Sequence, residues 1–196
     1  MCMEYGVYSM CVKPCDIQAA KKLLEGSGVK VSCVLSFPHG ADATAVKAFQ
    51  AKQAIADGTD EIDMVMNIGK FLGGEHAYVV NDIKAVVEEA RRQEVLVKVI
   101  LETGFLSLEQ VTVACELAAR GGAHFVKTST GFGPGKATPE AVEAMLKEAG
   151  KAMKVKASGG IRTWEDAVGF LAQGVDRLGI GSTRAVLEGA EAKGNY

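Results

Sequence analysis

The chain has 196 residues, 48% hydrophobic, 6% aromatic and 23% charged, a globular composition with enough length for one substantial core and too little for two ordinary domains. Its 22 basic and 24 acidic residues leave a formal charge of -2, which removes any general electrostatic drive toward nucleic acid or an anionic bilayer. No run approaches the roughly 20 apolar residues of a membrane span, the N-terminus lacks the basic and apolar regions of a signal peptide, and five scattered cysteines without a C-x-x-C pair fit a reducing, cytoplasmic setting.

Short apolar runs alternate with longer amphipathic segments along the chain, the pattern of βα units on a parallel sheet. The first strand is expected over Val7–Val12, followed by Pro14 in a first helical turn, and the second over Val29–Phe37. Thr44–Asp57 carries Val, Ile and Ala at helical spacing and ends at Gly58, and a third strand follows over Glu61–Asn67. A second amphipathic helix, His76–Arg91, leads into a strand at Leu96–Thr103, after which Ser107 is a candidate cap. The remaining strands are expected at His124–Ser129, Lys154–Ser158 and Arg177–Ile180, with Pro139 and Gly150 bounding one intervening helix, Thr163 and Gly174 the next, and a short helix at Thr183–Glu188. Near-continuous apolar strands suit a sheet covered on both faces, so the fold class is α/β, a parallel (β/α) TIM-barrel type in one domain over 1–196, with about seven of the usual eight strands.

Two of these strands carry a lysine among apolar or small residues, Phe125-Val126-Lys127-Thr128-Ser129-Thr130-Gly131 and Lys154-Val155-Lys156-Ala157-Ser158-Gly159-Gly160. Side chains alternate along a strand, so Lys127 and Lys156 share the face opposite Val126 and Val155. Right-handed crossover makes consecutive strands neighbours about 4.8 Å apart. Burial and a nearby like charge both disfavour an ammonium, lowering a lysine from about 10.4 toward a neutral nucleophile at pH 7. The bland alternative has one lysine reaching the rim and the other paired with a carboxylate such as Glu102. Asp63 shares its strand face with Val65 and Asn67 and is a candidate proton carrier, whereas Asp60 and Glu61 are assigned to the loop entering the strand.

Barrels of this type hold phosphate with late loops and a helix N-terminus. Gly159-Gly160 and Gly179-Ile180-Gly181-Ser182 offer such loops, and with Gly131 of the turn after the Lys127 strand the candidate phosphate ligands are Gly131, Gly159, Gly160, Gly179, Gly181 and Ser182. The run Thr130–Lys136 fails the P-loop spacing and has Ala137 where a hydroxyl is required, and Gly179-x-Gly181 leaves too little chain for a dinucleotide unit. His39, His76 and His124 are single and far apart, without metal-ligand spacing. The expectation is an enzyme without metal or other cofactor; a metal-dependent aldolase is a minor alternative.

Several segments, taken in order, resemble the deoxyribose-phosphate aldolase family: Ser36-Phe37-Pro38-His39-Gly40, Asp60-Glu61-Ile62-Asp63, Leu101-Glu102-Thr103-Gly104, the Lys127 strand, and Val155 to Arg162. The resemblance runs from about Tyr5 to Glu188. It implies a class I lyase that reversibly cleaves 2-deoxy-D-ribose 5-phosphate to acetaldehyde and D-glyceraldehyde 3-phosphate. Lys127 matches the Schiff-base lysine, Lys156 the lysine that perturbs it, and Asp63 the proton-relay carboxylate. The partner is then a small phosphorylated sugar rather than nucleic acid or membrane. Family members generally begin with a further strand carrying an Asp-His-Thr-like motif, so a seven-stranded closure or homo-oligomeric association through an open edge is expected. Phe132 stands where some relatives carry lysine, with Lys136 as a substitute. Competing readings are a non-catalytic barrel acting as an assembly partner, and a phosphosugar isomerase or synthase on the same scaffold.

Overall fold

The structure is a computed structural model that describes residues 1–150 and 152–190. The chain forms two compact units, Met1–Val99 with Gly121–Ala123, and Ile100–Arg120 with the described residues from His124 onward.

In the first unit β1 (Ser9–Val12), β2 (Lys30–Leu35), β3 (Glu61–Val65) and β4 (Leu96–Ile100, whose last residue belongs to the second unit) follow one another in chain order. β1 and β2 are parallel with Val12 opposite Cys33, and β2 and β3 are parallel with Val34 opposite Asp63. Helices α1 (Ile17–Leu23), α2 (Thr44–Ala56), α3 (Ile68–Leu72) and α4 (His76–Arg91) supply the cover. The core is made by Val31, Cys33 and Leu35 of β2, Ile62 and Met64 of β3, Val97 and Val99 of β4, and Ile83, Val86 and Val87 of α4, all buried. Each large side chain among them contributes roughly 1.5–3 kcal/mol by leaving water. A buried ion pair joins α2 to α4. Lys47 Nζ lies 2.5 Å from Asp82 Oδ2 and donates to the Val65 carbonyl at 3.0 Å, while Thr44 Oγ1 donates to Asp82 at 2.9 Å. The pair thereby holds both helices to the end of β3.

In the second unit β5 (Phe125–Lys127), β6 (Lys154–Ser158) and β7 (Arg177–Gly179) are parallel neighbours, separated in sequence by α6 (Pro139–Ala149) and α7 (Trp164–Gln173). Helix α5 (Leu108–Arg120) precedes β5 and α8 (Thr183–Leu187) follows β7. The expected helix signals are used. Ser107 Oγ accepts from Gln110 N at 3.2 Å, Pro139 opens α6, Thr163 and Asp166 form a reciprocal capping box, and Gly174 ends α7 in a left-handed conformation.

All seven expected strands are present, but several stop earlier than their apolar runs. Leu96–Thr103 gives a strand only to Ile100, because Glu102 turns left-handed and Thr103–Phe105 forms a 3-10 turn. His124–Ser129 shortens to Phe125–Lys127, where the Thr128 hydroxyl takes over strand pairing by donating to Ser158 O at 2.8 Å and accepting from Ser158 N at 2.9 Å. Glu61–Asn67 ends at Val65, and Asn67 instead caps α3 by accepting from Lys70 N at 3.1 Å. Among the described residues no helix is long and apolar enough to cross a membrane.

Candidate active site

Lys127 closes β5 and lies directly opposite Lys156 in the parallel register, so the two side chains leave the same face of the sheet. They are 4% and 5% exposed, so both are buried lysines on adjacent strands. The methylene stem of Lys156 passes beside Gly179, where a Cβ would stand 3.1 Å from Lys156 Cε and 2.7 Å from Ser158 Cβ. A residue larger than glycine at 179 would push on the second lysine. Glu102, the carboxylate considered as a lysine partner, is committed elsewhere: Thr130 Oγ1 donates a short hydrogen bond to it and Thr130 N donates at 3.2 Å.

The glycine turns after β5 and β6 converge. A Cβ on Gly159 would lie 3.2 Å from Ser129 Cβ, 3.7 Å from Lys136 Cα and 3.8 Å from Gly131 Cα, and the stem of Lys136 packs over Gly160. The structure thus brings Gly131, Gly159, Gly160 and Lys136 together, places Gly179 beside Lys156, and puts Gly181 and Ser182 where the chain enters α8. A cleft of about 780 Å³ opens beside this cluster, with Lys136, Arg162, Gly131 and Gly160 among its lining. Ser129 Oγ is buried and has no hydrogen-bond partner among the described residues. An orphan hydroxyl of this kind costs roughly 1–3 kcal/mol.

Asp63 belongs to the first unit and sits in a fully buried charge cluster there. Lys98 Nζ of β4 is 2.7 Å from Asp63 Oδ1, 2.8 Å from Glu61 Oε2 and 3.4 Å from Ser32 Oγ, and Ser32 donates to Asp63 at 3.2 Å. The assignment of Glu61 to an entering loop is corrected: it is the first residue of β3, 2% exposed and paired with Lys98. Asp60 does lie in the loop, accepting from Val31 N at 2.8 Å with Lys21 at 3.2 Å. Lys98 is the residue that sequence reasoning missed. Its run Leu96-Val97-Lys98-Val99-Ile100 shows the same signal as the other two lysines, a cation inside an apolar strand. Nearby, burial pushes the Cys33 thiol up to about 12. His39, His76 and His124 come from separate segments, and among the described residues no group of three or more His, Cys, Asp or Glu is placed to hold a metal ion.

Buried lysines on neighbouring parallel strands, flanked by glycine turns, are the furniture of an α/β aldolase. The comparisons with known proteins agree with that class. The DeoC/LacD family aldolase model matches residues 3–187, and the chain belongs to that family. It is 48% identical over 194 residues to the deoxyribose-phosphate aldolase of Clostridium perfringens, spanning 99% of this chain and 86% of that one, and 49% identical over 190 residues to that of Thermococcus kodakarensis, spanning 96% and 85%. A solved structure described as a unique tetrameric deoxyribose phosphate aldolase from Aeropyrum pernix superposes with a TM-score of 0.87 at 32% identity, covering 95% of this chain and 78% of its own. The aldolase QR15 superposes with a TM-score of 0.90 at 38% identity, covering 95% and 82%. These likenesses place the fold in the (β/α) barrel type expected from the sequence.

Proposed function

We propose that the chain is a class I lyase that reversibly cleaves 2-deoxy-D-ribose 5-phosphate to acetaldehyde and D-glyceraldehyde 3-phosphate, a step in deoxyribose phosphate breakdown. The observation that carries the reading is the pairing of Lys127 with Lys156, both buried and directly opposite each other. Near-full-length likeness to named aldolases supports it and does not favour the non-catalytic or isomerase readings.

In this reading the neutral Lys127 amine attacks C1 of the open-chain aldehyde. The carbinolamine loses water to give an iminium. Loss of the proton from the C3 hydroxyl breaks the C2–C3 bond, its electron pair flows to the iminium nitrogen, and glyceraldehyde 3-phosphate leaves. The remaining enamine takes a proton at C2, and hydrolysis of the iminium releases acetaldehyde and Lys127. Lys156 favours the neutral form of Lys127, since a second ammonium beside it opposes protonation. Asp63 is assigned the proton relay on the strength of the resemblance, and its contact with Lys98 holds it in place. Gly131, Gly159, Gly160, Gly179, Gly181 and Ser182 are assigned to the phosphate, with Lys136 and Arg162 supplying positive charge to the adjoining cleft. No step needs an external cofactor. Residues 1–196 are taken as one working domain, cytoplasmic, in a homo-oligomer like the tetrameric Aeropyrum pernix relative.

Incubation with acetaldehyde and borohydride, followed by peptide mass spectrometry, tests the reading. An ethyl adduct at Lys127 is expected, together with loss of both adduct and cleavage in Lys127→Ala. Cleavage that survives in Lys127→Ala would overturn it.

A further inference from the structure

Glu102 has φ 55 and ψ 62, a left-handed conformation disfavoured for a residue with a Cβ, and is 2% exposed. Strain of this kind persists only where surrounding contacts over-determine it. Here those contacts are of two sorts. On either side, main-chain bonds tie the segment to the end of β5: Leu101 N donates to Lys127 O at 2.9 Å and Thr103 N to Thr128 O at 3.0 Å. The side chain reaches onward to the turn after β5. Its carboxylate accepts from Thr130 Oγ1 and, at 3.3 and 3.2 Å, from Thr130 N, and Thr130 Oγ1 in turn accepts from Phe132 N at 3.0 Å.

The turn closes over the carboxylate from the far side as well. Gly133 approaches so nearly that a Cβ there would lie 2.8 Å from the carboxyl carbon of Glu102. Thr130, Phe132 and Gly133 thus all register the position of one buried carboxylate, and Gly131 lies between them. The main chain of Lys127 is held by other contacts, its carbonyl accepting from Leu101 N at 2.9 Å and its Cα in register with Lys156.

We infer that Glu102 is a positioning residue that fixes the Thr130–Gly133 turn against the end of β5, and thereby sets affinity for the phosphate end of the substrate without entering the carbon–carbon step. The inference rests on the roles proposed above for Lys127 and Gly131. The left-handed backbone is what turns the side chain from the strand toward the turn, and the charge is what lets one group satisfy both Thr130 donors at once.

Glu102→Gln keeps the volume and removes the charge. The expected result is a KM for 2-deoxyribose 5-phosphate raised about ten- to thirty-fold, with kcat within about three-fold. Borohydride trapping of acetaldehyde at Lys127 stays at the wild-type level, because acetaldehyde has no phosphate to place. Thr130→Val and Gly133→Ala disturb the same contacts while leaving the carboxylate, and should reproduce the KM effect even if Glu102→Gln folds poorly. Thr130→Ser retains the hydroxyl and should behave as wild type, and Glu102→Gln combined with Thr130→Val should be no worse than either alone. Amide exchange of Thr130 and Phe132 should quicken in Glu102→Gln. That measurement needs no substrate, so unchanged exchange overturns the inference even if the aldolase reading stands. Loss of kcat and of acetaldehyde trapping with KM unchanged would overturn it too, whereas a wild-type protein that forms no Lys127 adduct would count against the aldolase reading while exchange still reports on the clamp.

Discussion

Lys127 and Lys156 are Cα partners across β5 and β6, and neither is more than 5% exposed. In the role proposed above for Lys156, a charge on it opposes a second charge on Lys127. Lys156→Leu keeps the packing volume and removes the repulsion, which makes the Lys127 amine harder to deprotonate. At neutral pH kcat should fall by at least about ten-fold, and the ratio of variant to wild-type rate should climb as pH rises, because alkali restores the free amine. A rate profile over pH checks this; a ratio flat in pH would mean that Lys156 acts by some other route than charge.

The alternation of strands and helices was legible because burial on both faces leaves apolar runs with helical spacing between them, and the lysine pair was legible because a charge inside such a run is conspicuous. Strand ends were not. They are set by contacts distant in sequence: the left-handed turn at Glu102 depends on Thr130, and the early end of β5 on a hydroxyl exchange between Thr128 and Ser158. Lys98 carried the same local signal as Lys127 but lay outside the glycine-flanked pattern that drew attention to the other two. Its partner Glu61, expected in the loop entering the strand, is the first residue of β3 and pairs with that cation on β4.

Burial pushes the thiols of Cys33 and Cys115 up to about 12. Cys11 and Cys15 are exposed. Iodoacetamide at pH 8 should therefore label Cys11 and Cys15 in the native protein and leave Cys33 and Cys115 untouched until the chain unfolds. Because the folded values exceed the unfolded 9.0, these two thiols support the fold fully below about pH 9, and that support is lost as pH climbs toward 12. Mass spectrometry of labelled peptides checks the first statement, and denaturant midpoints between pH 8 and 11 check the second.

At the start of α7 the Asp166 carboxylate accepts from Arg162 N at 3.0 Å and Thr163 N at 3.1 Å, while Thr163 Oγ1 accepts from Asp166 N at 3.0 Å. The hydrogen bond from Arg162 N leads the effects that hold this carboxyl below its usual range. Asp166→Ala should cost about 1 kcal/mol, the usual worth of a helix cap. A depressed carboxyl stabilises the fold above its unfolded value and loses that contribution as pH falls through the folded one. The gap between variant and wild type should be constant from pH 5 to 7 and shrink below about pH 4, as read from urea midpoints.

Lys98 holds two carboxylates, Asp63 at 2.7 Å and Glu61 at 2.8 Å, in a cluster where all three side chains are at most 2% exposed. Lys98→Met preserves length and removes the cation that lies between these two carboxylates, whose mutual repulsion and desolvation then both favour protonation. The cost should be about 3–5 kcal/mol at neutral pH. The sign of its pH dependence follows from the reversed titration. With folded carboxyl values now above the unfolded ones, stability is lost as pH rises, so the variant should be nearer to wild type at pH 5 than at pH 8. Adding Asp63→Asn to Lys98→Met removes one of the two carboxylates and should recover part of the loss while flattening the pH dependence. Guanidinium midpoints for the three proteins at both pH values check the argument; a Lys98→Met penalty independent of pH would show that packing, not charge, dominates the cluster.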